Sequence, residues 1–292
     1  SLLRLGLANW KALEGTLDKS LPFVMLDRLK HSLRANTRRG SRRNIAAHYD
    51  LGNDFYKKWL DPSMTYSSAL FDTMNEPLEV AQRRKYLRLA KQLNLQPNDR
   101  VLEIGCGWGG FAEIAASEFG CHVVALTLSE RQAVYARKRL TEANLNERVE
   151  VRLQDYRDIE GQFDKIVSIE MFEAVGEKYW PVYLRTLRDR LAPLGQAALQ
   201  IITMADELFS AYRHNPEFIQ RYIFPGGMLP GQSAFREAVG NAGLQITEHF
   251  SFSASYAETL RRWDTAFRTA WPEIKTMGFD DRFFRMWWYY LC

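Results

Sequence analysis

Short apolar runs alternate with amphipathic stretches through the middle of the chain. The apolar runs cover 100–105, 122–128, 149–155, 163–172 and 196–204, and each has the length of a β-strand. The stretches between them place apolar residues three and four positions apart, which is the spacing of one helix face. Strands that alternate with helices in this way predict an α/β fold with a doubly wound, mostly parallel sheet.

Three of the intervening stretches predict helices, over 107–119, 129–145 and around 179–191. Ser129 is suited to cap the second of these helices, and a glutamate follows it in the first turn. The first helix begins at a cluster of glycines directly after the first strand. That turn is therefore the first place to look for a ligand site.

The chain after the fifth strand has a different pattern. Prolines and glycines crowd residues 205–232, which predicts an irregular lid insertion over the strand ends. A helix over 233–243 and a sixth strand over 244–252 are predicted to follow. From Ser255 onwards the spacing is helical.

Positive charge is concentrated near the N-terminus, where no acid lies between Asp27 and Asp50. Residues 35–41 are polar and contain a glycine, which is typical of a linker. A basic run beside amphipathic helices suits an anionic membrane surface or nucleic acid, and a solvated face is the alternative. The basic residues are Arg28, Lys30, Arg34, Arg38, Arg39, Arg42 and Arg43.

Composition narrows the class of protein. The 292 residues are 46% apolar and 25% charged, which excludes a disordered chain, and a net charge of +4 is weak for a nucleic-acid partner. No apolar run approaches the roughly 20 residues of a membrane span. Aromatic residues make up 13% of the chain, so either a large apolar pocket or a tryptophan-rich core is expected. The three cysteines fit no metal pattern and favour a reduced, cytoplasmic protein.

The glycine cluster VLEIGCGWGG, at 101–110, is the most informative motif. Its spacing is G-x-G-x-G-G, with Glu103 two places before the first glycine. The second strand ends in Thr127, Leu128 and Ser129, without the acid that an NAD ribose requires. This combination resembles the S-adenosylmethionine (SAM) loop of class I methyltransferases more than a dinucleotide loop.

Roles for the neighbouring residues follow from that reading. The backbone of Gly105–Gly109 would pass beneath the methionine part of SAM, and Glu103 would support the loop. Gln132, one turn into the next helix, can bind the ribose hydroxyls. Asp155 and Tyr156 end the third strand, where Tyr156 either stacks on the adenine or is a plain surface aromatic.

Several further stretches resemble the cyclopropane fatty acid synthase family, which includes the mycolic acid cyclopropane synthases. The resemblance runs from about Arg43 to the end of the chain. Residues 1–42 resemble the helical tail of a longer N-terminal region, 43–98 a helical cap over the cofactor, and 99–292 the Rossmann-like methyltransferase core. The stretches are 44–71, 101–110, 126–132, 166–176, 223–230 and 255–263.

The resemblance implies a SAM-dependent methyltransferase that acts on a cis double bond in a phospholipid acyl chain. It implies a cytoplasmic enzyme, peripheral at the inner membrane face, and leaves a homodimer through the N-terminal region open. No nucleic acid and no metal are expected. The implied cofactor-binding residues are Tyr66, Ser67, Glu103, Gly105, Cys106, Gly107, Trp108, Gly109, Thr127, Leu128, Gln132, Asp155 and Tyr156.

Family members hold a bicarbonate ion near the transferred methyl, and Glu173 and Tyr256 match two of its contacts. Three positions depart from the pattern: Ser68 replaces a cysteine, Glu170 a glycine and Gln200 a histidine. A carboxylate at Glu170 would repel bicarbonate. We therefore expect Glu170 to replace bicarbonate as the base, oriented by Gln200, Ser68 and Tyr256. A structural Glu170 beside a bound bicarbonate is the alternative.

Methyl addition to an alkene leaves a carbocation, which nearby aromatic rings stabilise. Tyr66, Phe172, Trp263 and Tyr256 are the expected rings. Proton loss from the added methyl closes a cyclopropane, whereas loss from a chain carbon gives a methyl- or methylene-bearing lipid, so lipid C-methylation is predicted without a choice of product. A small-molecule methyltransferase and a non-catalytic lipid- or SAM-binding module are less favoured alternatives.

Both ends of the sequence break off within apolar helical patterns. The N-terminus begins as an amphipathic helix entered midway, and the C-terminus ends in an aromatic run. We therefore expect residues beyond both ends, including a seventh strand. The corresponding structural expectation is an unpaired sheet edge near the fifth and sixth strands.

Overall fold

The computed structural model describes residues 36–38, 40–41, 44–45, 51–214 and 218–292. Its centre is a parallel sheet of five strands in the order β3-β2-β1-β4-β5. The predicted doubly wound α/β fold is confirmed. The strands are β1 (Arg100–Ile104), β2 (His122–Thr127), β3 (Val149–Leu153), β4 (Phe163–Ile169) and β5 (Leu191–Gln200).

Helices precede, connect and follow the strands. Of the helices whose two ends the structure describes, α1 (Asn53–Lys57) and α2 (Leu78–Gln92) lie before the sheet. The connecting helices are α3 (Gly110–Phe119), α4 (Glu130–Glu142) and α5 (Trp180–Arg190). The later helices are α6 (Asp206–His214), α7 (Gln232–Asn241), α8 (Ser253–Thr276) and α9 (Asp281–Leu291).

The strand boundaries differ from the sequence-based ones around the site. β4 ends at Ile169 because Glu170 takes a left-handed backbone with a φ of 48°. A single 3₁₀ turn, Phe172–Ala174, follows. β5 begins at Leu191 and ends at Gln200, four residues earlier than predicted. An apolar run shows only that residues are buried, and the backbone outside the sheet satisfies its hydrogen bonds elsewhere.

The insertion over 205–232 is more regular than predicted. It contains α6 and a π-helical turn at Ile219–Ile223. The glycines and prolines lie mainly in the turn after that segment, so they mark where the helical part ends. The prediction of an irregular insertion is wrong for those two elements.

The predicted sixth strand is wrong. Residues 244–252 are in no strand, and β5 is an edge of the described sheet. A cavity of about 700 Å³ separates this segment from β5. Alternating side chains favour a strand only where a partner supplies the ladder hydrogen bonds, and here the neighbouring edge lies across the cavity. The unpaired edge itself was expected.

The three largest apolar clusters among the described residues join most of the elements. One cluster fills the sheet face under α2, α3 and α4, and another fills the opposite face under α5 and α7. The third lies beyond the strand ends and joins α1, α8 and α9 through a dense set of aromatic rings. It buries Trp59, Trp263 and Trp287, so part of the high aromatic content serves a tryptophan-rich core.

Hydropathy gives one further constraint. Among the helices in the described ranges, none combines the length and apolar character needed to cross a bilayer.

Candidate active site

Most of the predicted site residues lie together over the carboxyl ends of the strands. A cavity of about 400 Å³ is lined by the ends of β1, β2 and β4 and by residues of α8 and α9. In open parallel sheets, ligands bind at this edge where neighbouring connections run to opposite faces. β1 and β4 are such neighbours here.

The glycine turn after β1 forms the floor of this cavity. Gly105 has a φ of 84°, and a Cβ at this position would lie 2.8 Å from the Met171 Cγ. Gly107 has a φ of 53°, and a Cβ there would meet nothing within 4 Å. The Gly105 and Cys106 amides donate to the Leu126 carbonyl oxygen at 3.0 and 2.8 Å, which fixes the turn to β2. The turn therefore offers open space above rigid backbone, as a closely bound cofactor requires.

Two residues of the motif support the turn. Gly109 does not line the cavity: it precedes α3 with a φ of 85°, and its Cβ would lie 3.2 Å from the Ala136 Cβ. Its expected cofactor contact is therefore replaced by close helix packing against α4. Glu103 lies under the turn as expected, and burial raises its pKa to about 8 although the Ala112 amide lowers it.

Thr127, Leu128 and Gln132 line the cavity beside β2. Ser129 caps α4 by accepting a hydrogen bond from the Gln132 amide at 3.3 Å. The Thr127 hydroxyl donates to the Gln132 side-chain oxygen at 2.9 Å. Because that oxygen is engaged, the amide nitrogen of Gln132 is the group left to donate to a ligand hydroxyl.

Asp155 and Tyr156 lie at the end of β3 and line the same cavity. The Arg157 guanidinium donates to Asp155 at 2.6 Å. Burial raises the pKa of Asp155, but the hydrogen bonds from Arg157 outweigh it and hold that pKa below its usual value. Tyr156 is 9% exposed and meets Tyr183 edge to face at 5.1 Å, so it is not a surface aromatic.

The described part of the predicted linker closes one side of the site. The Asn36 side-chain amide donates to the Gly226 carbonyl at 2.8 Å, and Arg157 donates to the Asn36 carbonyl at 3.0 Å. Arg38 pairs with Asp158 at 2.6 Å. These residues are therefore held by polar contacts, and whether they link two larger segments stays a prediction. Arg28, Lys30, Arg34, Arg39, Arg42 and Arg43 lie outside the described residues.

The structure brings Ser68, Glu170 and Gln200 together. The Ser68 amide donates to Glu170 Oε1 at 2.8 Å, and the Gln200 side-chain amide donates to the same oxygen at 2.9 Å. Gln200 also donates to the Ser68 carbonyl at 3.1 Å. Glu170 lies on the wall of the main cavity, whereas Ser68 and Gln200 lie behind it on the second, larger cavity. They can orient Glu170 but do not face the main cavity.

Glu173 and Tyr256 face the main cavity beside Glu170. One carboxylate oxygen of Glu173 accepts from the Ile202 amide, and the other is buried with no partner among the described residues. Burial and then the charge of Glu170 raise the pKa of Glu173 to about 8. Burial also raises the pKa of Glu170, and Lys85, the Ser68 amide and Gln200 oppose that rise.

Three of the four expected aromatic rings line the cavity. Tyr66 and Trp263 have ring centroids 5.3 Å apart, and Tyr256 lies on the same wall. Phe172 does not reach it. This ring is fully buried in the core, where it stacks on Trp180 at 5.3 Å, because the turn after β4 directs it away from the cavity.

Sequence reasoning missed two neighbours of the site. Tyr290, on α9, accepts a hydrogen bond from the Tyr66 hydroxyl at 2.9 Å. Lys85, on α2, is 2% exposed and donates to the Ser67 hydroxyl at 2.6 Å. The available signal for Lys85 was its helical position, because it shares the apolar face of α2 with Ala81 and Leu89.

The parallel sheet, the glycine turn after β1 and the cavity over the strand ends define the class I SAM-dependent methyltransferases. Within that class, the family model of mycolic acid cyclopropane synthetase matches residues 36–292. The chain belongs to this family, as the sequence motifs predicted.

Two curated relatives illustrate the range of the family. The chain is 44% identical to the tuberculostearic acid methyltransferase UfaA1 of Mycobacterium tuberculosis, over 88% of this chain and 62% of that protein. It is 36% identical to the cyclopropane-fatty-acyl-phospholipid synthase of Escherichia coli K12, over 99% of this chain and 74% of that protein. The chain thus spans about two thirds of the length of these relatives.

A solved structure gives the same result for the fold. The mycolic acid cyclopropane synthase CmaA1, complexed with SAH and CTAB, matches with a TM-score of 0.80 and 30% identity, over 86% of this chain and 90% of that one. SAH is the demethylated form of SAM. The prediction of SAM as the cofactor is confirmed by this family membership.

Proposed function

We propose that this protein transfers a methyl group from SAM to a double-bond carbon in the unsaturated acyl chain of a phospholipid. The observation that carries the proposal is the placement of Glu170. Its carboxylate lies on an aromatic-lined cavity that also contains the glycine turn, and two hydrogen bonds hold it there. A methyl donor, an alkene and a base can therefore meet in one space.

SAM would supply an electrophilic methyl group, and the main cavity offers matching groups for its parts. The open backbone at Gly107 suits the methionine part, and the Gln132 amide suits the ribose hydroxyls. Tyr156 and Leu128 line the end suited to adenine, while Tyr66 and Ser67 cover the cofactor from the cap. Each of these assignments carries the family resemblance onto a cavity-lining residue.

An acyl chain requires an apolar, water-excluding wall. Apolar residues of the insertion over 205–232, the turn after β4 and helix α8 line the cavity and supply such a wall. Ordered apolar contacts there would hold the alkene against the methyl donor, which is the main task for so reactive a donor. The residues of this wall are Met171, Val175, Ile219, Met228, Leu229 and Leu260.

Methyl addition makes a new carbon–carbon bond from the alkene π electrons and leaves a cation on the neighbouring carbon. Tyr66, Trp263 and Tyr256 face that region, and each ring could stabilise a cation by about 0.5–2 kcal/mol. Glu170 would then accept the proton whose bonding electrons quench the cation. The Ser68 amide and the Gln200 side chain both donate to Oε1 of Glu170, and these two hydrogen bonds fix the direction of Oε2.

A product without a ring is the second candidate. Proton loss from a chain carbon gives a methyl- or methylene-bearing lipid, and proton loss from the added methyl gives a cyclopropane. Two observations favour the open product: Glu170 stands where the family pattern has glycine, and UfaA1, a relative at 44% identity, is named a methyltransferase. A fixed carboxylate also disfavours a bound bicarbonate, because two anions in one small pocket repel each other.

The test is lipid analysis of cells that express the full-length protein. Mass spectra should show unsaturated phospholipid chains that have gained one CH₂, and proton NMR of those chains separates a cyclopropane from a branch. Cells that express the Glu170→Gln variant are the matched control. Unchanged lipids, from a wild-type protein that binds SAM in calorimetry, would contradict the proposal and favour a soluble substrate or a binding module.

The place of action is part of the same proposal. A phospholipid substrate and the basic run of residues 28–43 support a peripheral enzyme at an anionic membrane surface, on its cytoplasmic inner face. A homodimer through the N-terminal region remains an expectation from the resemblance. Sedimentation of the full-length protein tests the dimer, and vesicle binding tests the surface.

A further inference from the structure

Lys85 is a lysine inside the protein. It lies on the inward face of α2 with 2% of its surface exposed. Its ammonium donates to Ser67 Oγ at 2.6 Å and lies 4.7 Å from the centre of the Tyr86 ring. A buried ammonium loses its hydration, so it persists only where the surrounding groups compensate. The groups around Lys85 belong to two parts of the active site: the cofactor side, which Ser67 lines, and the carboxylate of Glu170.

The segment that Lys85 holds lies between the cofactor cavity and Glu170. The Ser67 carbonyl accepts a hydrogen bond from the Gln82 side chain at 2.8 Å, so two side chains of α2 bind Ser67, one at its carbonyl and one at its hydroxyl. The next residue, Ser68, donates its amide to Glu170 and receives Gln200 at its carbonyl. Ser67 lines the main cavity, and Ser68 lies behind Glu170. One short turn therefore connects the lysine to both sides of the site.

The donor chemistry of the ammonium orients Ser67. An ammonium has three donors and no acceptor, so the Ser67 oxygen must accept from Lys85. The hydroxyl hydrogen of Ser67 is then directed elsewhere, and Ser67 faces the main cavity. A serine held in this way presents a donor to an acceptor in the cavity, such as the carboxylate of SAM.

The charge of Lys85 acts on Glu170. Glu170 and Asp61 are the two carboxylates whose charges favour the protonated lysine, whereas burial lowers its pKa to about 7. In return, Lys85 is the strongest influence that opposes the rise in the Glu170 pKa caused by burial. The titratable groups that act on this pair or lie against it are Asp61, Tyr86, Glu173 and Tyr256.

We propose that Lys85 is a positioning residue for both parts of the site: it makes Ser67 a hydrogen-bond donor to the carboxylate of SAM, and its positive charge, on the same larger cavity as Glu170, favours the ionised form of that carboxyl group. The second half rests on the proposed role of Glu170 as the base. Neither half was visible from the motifs, because Lys85 lies in the cap and touches the site only through Ser67.

Calorimetry of the full-length protein tests the first half. Lys85→Met should weaken SAM binding by about tenfold or more, since a charge-oriented hydrogen bond to a carboxylate is lost. Binding of decarboxylated SAM, which lacks that carboxylate, should change much less. Lys91→Met is the matched control, because Lys91 is an exposed lysine on the same helix. Equal losses for SAM and decarboxylated SAM would overturn this half.

Carbon-13 NMR of protein labelled at the glutamate carboxyls tests the second half. The Glu170 signal is assigned by its loss in Glu170→Gln. In Lys85→Met its titration midpoint should move upward by about one pH unit or more, and in Lys91→Met it should stay in place. An unmoved midpoint in Lys85→Met would overturn this half.

Neither measurement requires lipid methylation, so the outcomes separate the two proposals. A wild-type protein that leaves lipids unchanged refutes the proposed function, and the calorimetry and NMR still decide the role of Lys85. Thermal unfolding should confirm that Lys85→Met is folded. If it is not, Lys85→Gln, which is shorter and keeps a polar end, is measured by the same two methods.

Discussion

At the scale of single residues, the site depends on carboxylates that the fold keeps from water. Glu170 takes a left-handed backbone directly after β4, and that turn carries its side chain to the cavity wall. Such a backbone is strained for a residue other than glycine, typically by about 1–3 kcal/mol. The strain persists because the Glu170 amide donates to the Gln200 carbonyl at 2.8 Å and its side chain receives two more hydrogen bonds.

Glu170→Gln should lower the rate of methyl transfer by at least ~100-fold, because an amide cannot accept the proton. SAM affinity should stay within about twofold, because Glu170 is not among the residues expected to bind SAM. Calorimetry and a lipid methylation assay check the two quantities. Glu142→Gln, on the exposed face of α4, should leave both unchanged. A rate that rises with added bicarbonate and survives Glu170→Gln would make Glu170 structural.

Glu173 controls a stability change with pH. Its folded pKa of about 8 lies above the ordinary 4.5, so the folded protein holds a proton that the unfolded chain releases. Stability should therefore fall as pH rises between these two values. Glu173→Gln removes this titration, and between pH ~5.5 and ~8 it should lose roughly 1–3 kcal/mol less unfolding free energy than wild type.

Urea unfolding at a series of pH values measures this difference. Glu177→Gln is the control, since Glu177 lies near the same turn in an ion pair with Arg213 at 2.6 Å. That variant should follow the wild-type slope. Parallel curves for wild type and Glu173→Gln would show that Glu173 does not hold the extra proton.

At the scale of elements, the turn from β1 into α3 is the part most closely fitted to a ligand. Its glycines have two different uses. Gly105 and Gly107 bend the backbone at the cavity floor, and Gly109 lets α3 approach α4. The prediction treated all of them as cofactor contacts because the motif shows spacing and not the direction in which each Cβ would point.

Gly105→Ala should weaken SAM binding by about tenfold or more. The new methyl would lie 2.8 Å from the Met171 Cγ and would force a φ of 84° that side chains disfavour, so the turn must shift. Gly240→Ala in α7 is the matched control, because a Cβ there meets nothing within 4 Å. It should leave SAM binding unchanged and stabilise the helix by about 0.5–1 kcal/mol. Calorimetry and thermal unfolding measure both; unchanged SAM binding in Gly105→Ala would refute the role of the turn.

At the scale of the whole molecule, two cavities lie on either side of Glu170. The smaller faces the cofactor turn and the aromatic cluster, and the larger lies along the free edge of β5. Ser68, Gln200 and Lys85 face the larger one, so the groups that orient the carboxylate are separated from the space for the substrate. Elements from the cap, the sheet and the C-terminal helices all contribute to this division.

Membrane association belongs to this scale too. Replacing Arg39, Arg42 and Arg43 with glutamine should weaken binding to anionic vesicles, by roughly 1 kcal/mol for each residue near the surface. Arg38→Gln should have a smaller effect, because Arg38 already pairs with Asp158. Vesicle sedimentation at low and high salt gives the affinities. Binding that changes neither with the substitutions nor with the salt would show that the basic residues 28–43 are a solvated face.

The sequence by itself determined the sheet, its parallel sense and the cofactor turn. These features depend on local patterns: apolar runs of strand length, helical spacing between them, and glycines where the backbone takes positive φ. The family motifs also identified Glu170 and Gln200 as departures that belong to one place. Such features can be predicted from the sequence because each is set by residues that are close neighbours along the chain.

Tertiary structure alone decided which side chains meet. Ser68 and Glu170 are 102 positions apart, and only the packing of the segment between α1 and α2 on the sheet brings the Ser68 amide to 2.8 Å from the Glu170 carboxylate. The same packing directs Phe172 into the core and leaves 244–252 without a strand partner. It also brings the buried Lys85 to Ser67, a contact that the helical spacing of Lys85 with Ala81 and Leu89 does not indicate. Long-range contacts depend on how whole elements fit together, which no local pattern records.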